Sequence, residues 1–91
     1  MSPFFVIYVV KARKEIRLEI TAGKKIGGAV KRNRAKRVIT AAFRECLPLI
    51  TAGYDFVIVA RTRILDIKST DAAASMKKLM VQAGVINDVI E

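Results

Sequence analysis

From Phe4 to Val10 the chain is an unbroken run of β-branched and aromatic residues, a composition that suits a strand. A polar break covers residues 11–14, and from Glu15 to Thr21 the apolar Ile16, Leu18 and Ile20 alternate with Arg17, Glu19 and Thr21. That period of two belongs to a half-buried strand, and the short break predicts that the two strands pair as a hairpin. Gly23, Gly27 and Gly28 punctuate the next stretch. Beyond them Ala35, Val38, Ile39, Ala42, Phe43, Cys46 and Leu47 recur at the spacing of one helical face, the strongest periodic signal in the chain. Pro48 predicts where that helix stops. Gly53 falls in the following loop, and Phe56 to Ala60 is apolar throughout, as expected of a strand covered on both sides. Ser69 or Thr70 is placed to cap a second helix with Ala72, Met76, Leu79, Met80 and Ala83 on one face and Gly84 at its end. The order ββαβα predicts an α+β fold, an α/β sandwich, built as a single domain over residues 1–91.

Composition limits the readings further. A chain of 91 residues supports one core, and 53% hydrophobic residues is too apolar for a disordered basic tail. Cys46 is the single cysteine and histidine is absent, so an internal disulfide is excluded and no soft ligand cluster for zinc exists. The apolar run Phe4 to Val10 is far short of the ~20 residues that cross a bilayer and lacks a basic flank of the kind that opens a signal peptide. A cytoplasmic protein without a membrane partner is expected.

Charge changes the picture most. Between Thr21 and Arg44 lie Lys24, Lys25, Lys31, Arg32, Arg34, Lys36, Arg37 and Arg44 and no acidic residue, whereas acids and bases nearly balance elsewhere, so one segment carries almost all of the net +9. With the apolar stripe turned to the core, Asn33, Lys36, Arg37, Thr40 and Arg44 project the other way, with Arg34 on the flank. No acid stands three or four residues from these charges except around Glu45, the immediate neighbour of Arg44. Like charges at helical spacing cost a few tenths of a kcal/mol per pair, and an external polyanion is the natural compensation. Phosphate backbone supplies one.

Upstream, Gly23-Lys24-Lys25-Ile26-Gly27-Gly28 forms a glycine-rich turn whose amides can approach a phosphate, although no Ser or Thr follows the lysines as a nucleotide-binding P-loop requires. A plain loop that needs positive φ angles is the competing reading of this turn. Catalysis by the protein's own side chains is not expected. Cys46 sits on the core stripe, and the carboxylates are scattered among Glu15, Glu19, Glu45, Asp55, Asp66, Asp71, Asp88 and Glu91. Asp66 and Asp71 read as turn and capping residues rather than as a Mg2+ site.

The ordered run from Lys24 through Lys25, Ile26, Gly27, Gly28, Ala29, Val30, Lys31, Arg32, Asn33, Arg34, Ala35 and Lys36 to Arg37, followed by Phe43, resembles the arginine-rich signature of the bacterial ribonuclease P protein subunit. The similarity extends from Phe5-Val6-Ile7-Tyr8 through Tyr54 to Arg61 and into the last helix. It implies a ribosomal protein S5 domain 2-like sandwich with an unusual left-handed βαβ crossover, an exception to the right-handed rule. It also implies a protein that binds the catalytic ribonuclease P RNA and the 5′ leader of precursor tRNA and assists endonucleolytic 5′ maturation of tRNA. The chemistry and the Mg2+ would then belong to the RNA partner, with no metal held by the protein alone. By resemblance Arg32, Asn33, Arg34, Lys36 and Arg37 occupy signature positions, and Tyr8 and Lys36 match positions near the leader. The family's first helix is missing from this chain as read, and the apolar sheet surface thereby exposed suggests self-association. Thr40 stands where the family often has a basic residue. The alternative is a general basic RNA-binding or ribosome-associated protein without a processing role.

Overall fold

The structure is a computed structural model that describes residues 3–12, 14–50 and 53–86. Arg13, Asp88 and Glu91 lie outside the described residues. Three strands and two helices follow one another as β1 (Phe5–Lys11), β2 (Ile16–Thr21), α1 (Ala29–Cys46), β3 (Tyr54–Ala60) and α2 (Ser69–Gln82), with short 3-10 turns at Lys24–Ile26, Leu47–Leu49 and Thr62–Asp66. The element order is the one the periodicity predicts. The strand pairing is not.

The sheet runs β1-β3-β2, with β3 antiparallel to β1 and parallel to β2. The predicted hairpin between the first two strands is therefore replaced by two strands that flank β3. Sequence period does not separate these arrangements, because β1 and β2 run in opposite directions in both. Burial does. Phe56, Ile58 and Ala60 of β3 are buried, whereas β2 buries no residue fully, so the more apolar strand takes the centre. The connection at residues 12–15 then has to reach over β3, about 10 Å, which its length permits. It does so at Gly53. The Ala12 amide donates to the Gly53 carbonyl at 3.0 Å, and a Cβ on Gly53 would sit 2.9 Å from the Lys14 carbonyl carbon.

Both helices cover one face of this sheet, with Phe5, Ile7 and Val9 of β1 and Ile16, Leu18 and Ile20 of β2 turned toward them. The opposite face carries Val6, Tyr8, Val10, Arg17, Glu19, Thr21, Val57 and Val59, and no described element lies on it. The expectation that β3 is covered on both sides fails here: Val57 and Val59 are only half-buried, shielded by neighbouring strands rather than by a second layer.

Helix ends follow local chemistry. Pro48 stands in the first turn of the 3-10 segment that closes α1, and Leu47, which the periodicity assigns to the core stripe, is 40% exposed because the helix has already tightened there. Lys68, not Ser69 or Thr70, is the N-cap of α2, and no side chain caps it. At the other end Gly84 takes φ +80°, its amide donates to the Val81 carbonyl and the Val85 amide to the Met80 carbonyl. This is a Schellman closure, sealed by the buried side chains of Met80 and Val85. Cys46 is buried, with Sγ 3.8 Å from the Ala73 carbonyl oxygen, and its thiol is pushed up first by burial and then by the Glu45 charge, against a smaller opposing effect of Lys77.

The crossing at Gly53 generates a stability prediction. Gly53→Ala forces its methyl against backbone that has no room to give and should cost about 1–3 kcal/mol in urea unfolding. Gly23→Ala, whose methyl would meet nothing within 4 Å, should leave the midpoint close to that of the parent chain.

Candidate nucleic-acid interface

The orientation of α1 is set by its buried side. Ala35, Ile39, Ala42, Phe43 and Cys46 enter the core, and the Phe43 ring meets Phe56 of β3 edge-on, with centroids 5.2 Å apart and planes at 72°. With that side fixed, Lys31, Asn33, Arg34, Lys36, Arg37 and Arg44 are exposed on the rest of the helix surface. Arg32 is half-buried. Thr40 is half-buried too, and its hydroxyl donates to the Lys36 carbonyl at 2.7 Å, so it serves the helix backbone.

The electrostatics of this helix are inverted relative to a self-sufficient one. Gly28 opens it without a side-chain cap, the first turn holds no acid, and Lys31 and Arg32 stand where the helix dipole is already positive. Among the described residues, none of the eight basic side chains between Thr21 and Arg44 has an ion-pair partner, and the ion pair that does form, Arg17 with Glu15 at 3.5 Å, is largely exposed at the start of β2. Self-repulsion and the dipole act in the same direction, and only a bound anion relieves both.

The glycine-rich turn sits directly below. Lys24 and Lys25 are exposed in the 3-10 turn, and Ile26, buried between them and the helix, anchors it to the core. Gly27 takes φ +132°, and a Cβ there would lie 2.7 Å from the Lys31 Cδ. The bare backbone thus leaves room for the Lys31 stem. The positive-φ requirement and the phosphate-facing reading of this turn, set against each other by the sequence, are compatible in one structure.

Tyr8 occupies a different place. It is 58% exposed on the uncovered face of the sheet, beside Val57 and away from the face on which α1 packs. Among the described residues no hydrogen bond or cation–π contact joins it to Lys36. The two leader positions implied by resemblance are both solvent-facing but do not form one contact.

Sequence reading missed two cations. Parallel pairing brings Thr21, at the end of β2, beside Val59 of β3, so the turn at Lys24 and Lys25 adjoins the segment that leaves β3. Together they line an open groove of about 670 Å³ whose basic residues are Lys24, Lys25, Arg61 and Arg63. Arg61 is tied down by its amide, which donates to the Phe4 carbonyl at 2.9 Å, and the Arg63 guanidinium lies 5.8 Å from the Phe4 ring centroid. The signal was the Arg61-Thr62-Arg63 sequence directly after an apolar strand, but a hairpin arrangement hides its proximity to the lysine turn.

Acidic residues do not assemble in the same way. Among the described residues no group of three or more His, Cys, Asp or Glu side chains comes together. Asp66 ends a 3-10 turn and Asp71 lies in the first turn of α2, where a negative charge favours the helix dipole. No helix among the described residues is long and apolar enough to cross a membrane.

The fold is an α+β sandwich whose long helix starts uncapped, with no acid in its first turn, above a glycine-rich basic turn. The family model described as Ribonuclease P matches residues 1–84, and the chain belongs to that family. It is 38% identical over 84 residues to the "Ribonuclease P protein component" of Chloroflexus aurantiacus, covering 90% of this chain and 62% of that protein. It is 33% identical over 84 residues to the corresponding protein of Shouchella clausii, covering 90% and 69%. The chain thus spans less than two thirds of the length of the Chloroflexus relative. Among solved structures, the Staphylococcus aureus RNase P protein superposes with a TM-score of 0.78 at 29% identity, over 96% of this chain and 81% of that one. The Thermotoga maritima RNase P protein shares the fold with a TM-score of 0.77 at 24% identity, over 90% and 79%.

Because Arg34 and Arg37 are exposed and unpaired, replacing both by Ala should leave the cooperative thermal transition in place while weakening RNA binding. Loss of the transition in circular dichroism would mean that the helix is rotated relative to this description.

Proposed function

We propose that this chain acts in the cytoplasm as the protein subunit of ribonuclease P, binding the catalytic RNA through the α1 face and the lysine turn and assisting cleavage at the 5′ end of precursor tRNA. The observation that carries the reading is the set of exposed cations on α1 without a partner among the described residues, in a run from Lys24 to Arg37 that resembles the family's signature and lies within the matched residues 1–84. Arg32, Asn33, Arg34, Lys36 and Arg37 contact phosphate and sugar, with Lys31, Arg44, Lys24 and Lys25 extending the surface. Arg61 and Arg63 continue it along the groove.

In this reading the protein supplies binding and positioning, and the phosphodiester chemistry with its Mg2+ lies in the RNA. Burial pushes the Cys46 thiol up, which disfavours the thiolate a nucleophile needs, and among the described residues no three His, Cys, Asp or Glu side chains gather. Counterion release gives the association its character. If about six cations each neutralise a phosphate, log K should fall with log[salt] with a slope on the order of −4 to −5. A slope shallower than about −2 across a salt titration would contradict a phosphate-dominated interface.

Tyr8 and Lys36 are assigned to the single-stranded 5′ leader. A solvent-facing tyrosine ring on an uncovered sheet offers a stacking platform, and losing one stacked base costs ~1–3 kcal/mol. Tyr8→Ala and Lys36→Ala should weaken binding of precursor tRNA to the protein–RNA complex and leave mature tRNA binding almost unchanged. Equal losses for both would reject the leader assignment. Binding of many structured RNAs without preference for the ribonuclease P RNA would instead identify a general RNA-binding protein.

A further inference from the structure

The outer edge of β1 is an apolar boundary of the described structure. β1 is an edge strand of the sheet, and among the described residues no strand pairs with its outer side. Residues 3–10 contain no charged side chain. On the uncovered face Tyr8 and Val10 are 58% and 64% exposed. Toward the helical face an apolar groove of about 170 Å³ opens between β1 and α2, lined by Ile7, Val9, Leu79 and Ala83 among others. Edge strands are ordinarily protected by charges, proline or a bulge. The opposite edge, β2, has such protection in Arg17 and Glu19; β1 has only Lys11, at its end.

Two further facts select the occupant. The first is the sequence of the strand itself. An antiparallel pairing of β1 with its own copy across a two-fold axis at Tyr8 matches all seven residues. It places Tyr8 against Tyr8, Ile7 against Val9 and Val6 against Val10 of the other copy, with Phe5 against Lys11 at the two ends, so the charged residue meets no like charge. The second is the charge distribution. The basic residues responsible for the +9 sit on α1 and the turn before it, and α1 packs chiefly on α2, β2 and β3. The strand edge with least charge lies away from the surface with most, so two copies can meet there with their basic faces apart.

We propose that β1 is a self-association edge: two copies pair antiparallel through Phe5–Lys11 about Tyr8, joining their sheets into one of six strands. The partner is a second copy of this chain, and the inference is independent of the processing role proposed above. Because the copies repel through their net charge, the dimer should strengthen as salt rises, the reverse of RNA binding.

Sedimentation velocity of the purified RNA-free chain over a concentration series at low and high salt tests this. The expected result is a monomer–dimer equilibrium that shifts toward dimer with salt. Val10→Lys, at an exposed position that tolerates the change, should weaken it about tenfold or more while keeping the thermal transition. The register is read separately with the double variant Val6→Cys/Val10→Cys. Under mild oxidation it should form disulfide-linked dimers, whereas Val10→Cys alone should not, because Val10 faces Val6 and not its own copy. A chain that stays monomeric throughout the series would overturn the proposal and leave the edge to another occupant. A dimer indifferent to Val10→Lys that does not cross-link through the paired cysteines would place the interface elsewhere and overturn it equally.

Discussion

The packing of α1 on the central strand governs the rest of the structure. Phe43 meets Phe56 edge-on at 5.2 Å, and Ala35, Ile39, Ala42 and Cys46 extend the same buried line along the helix. Deleting a buried aromatic of this kind typically costs about 3–5 kcal/mol. That contact also acts as a rotational lock. A helix turned by half a revolution would bury Arg34 and Arg37, at a cost no local partner could offset. The hydrophobic core therefore does more than stabilise the fold, since it decides which residues face solvent.

The same lock explains why an electrostatically unfavourable helix persists. Cations crowd its positive end, no acid balances them, and no side chain caps it. Each of these terms is a few tenths of a kcal/mol to about one, smaller than the burial of the Phe43 side alone. The core thus holds the charges together in the free protein. Preorganised in this way, the cations need no further assembly to meet an anion. Ile26 does for the lysine turn what Phe43 does for the helix: one buried side chain fixes the place of two exposed cations.

Much of this was legible in the sequence, and the part that was not has a definite cause. The helical stripe from Ala35 to Cys46, the stop at Pro48, the closing Gly84 and the exposure of Lys31, Arg34, Lys36 and Arg37 all follow from local rules, and the structure agrees with them. The hairpin did not survive because alternation in Ile16, Leu18 and Ile20 specifies a face and not a neighbour. The insertion of β3 between the first two strands is decided by nonlocal burial, with Gly53 as the one local trace of the crossing. From that single error followed the omission of Arg61 and Arg63, which only the parallel pairing of β2 with β3 brings beside Lys24 and Lys25. Leu47 and the cap of α2 differ for smaller reasons of helix-end geometry.

The central claim is that this protein contributes an oriented cationic surface and leaves the chemistry to RNA. Reconstitution measures it most directly: multiple-turnover cleavage of precursor tRNA at low Mg2+ by purified ribonuclease P RNA, with the chain, without it, and with the Arg34→Ala/Arg37→Ala variant. The account predicts stimulation by the parent chain, a marked loss of stimulation by the folded variant, and no cleavage by the protein alone. Cleavage by the chain without RNA, or full stimulation by the variant, would contradict it.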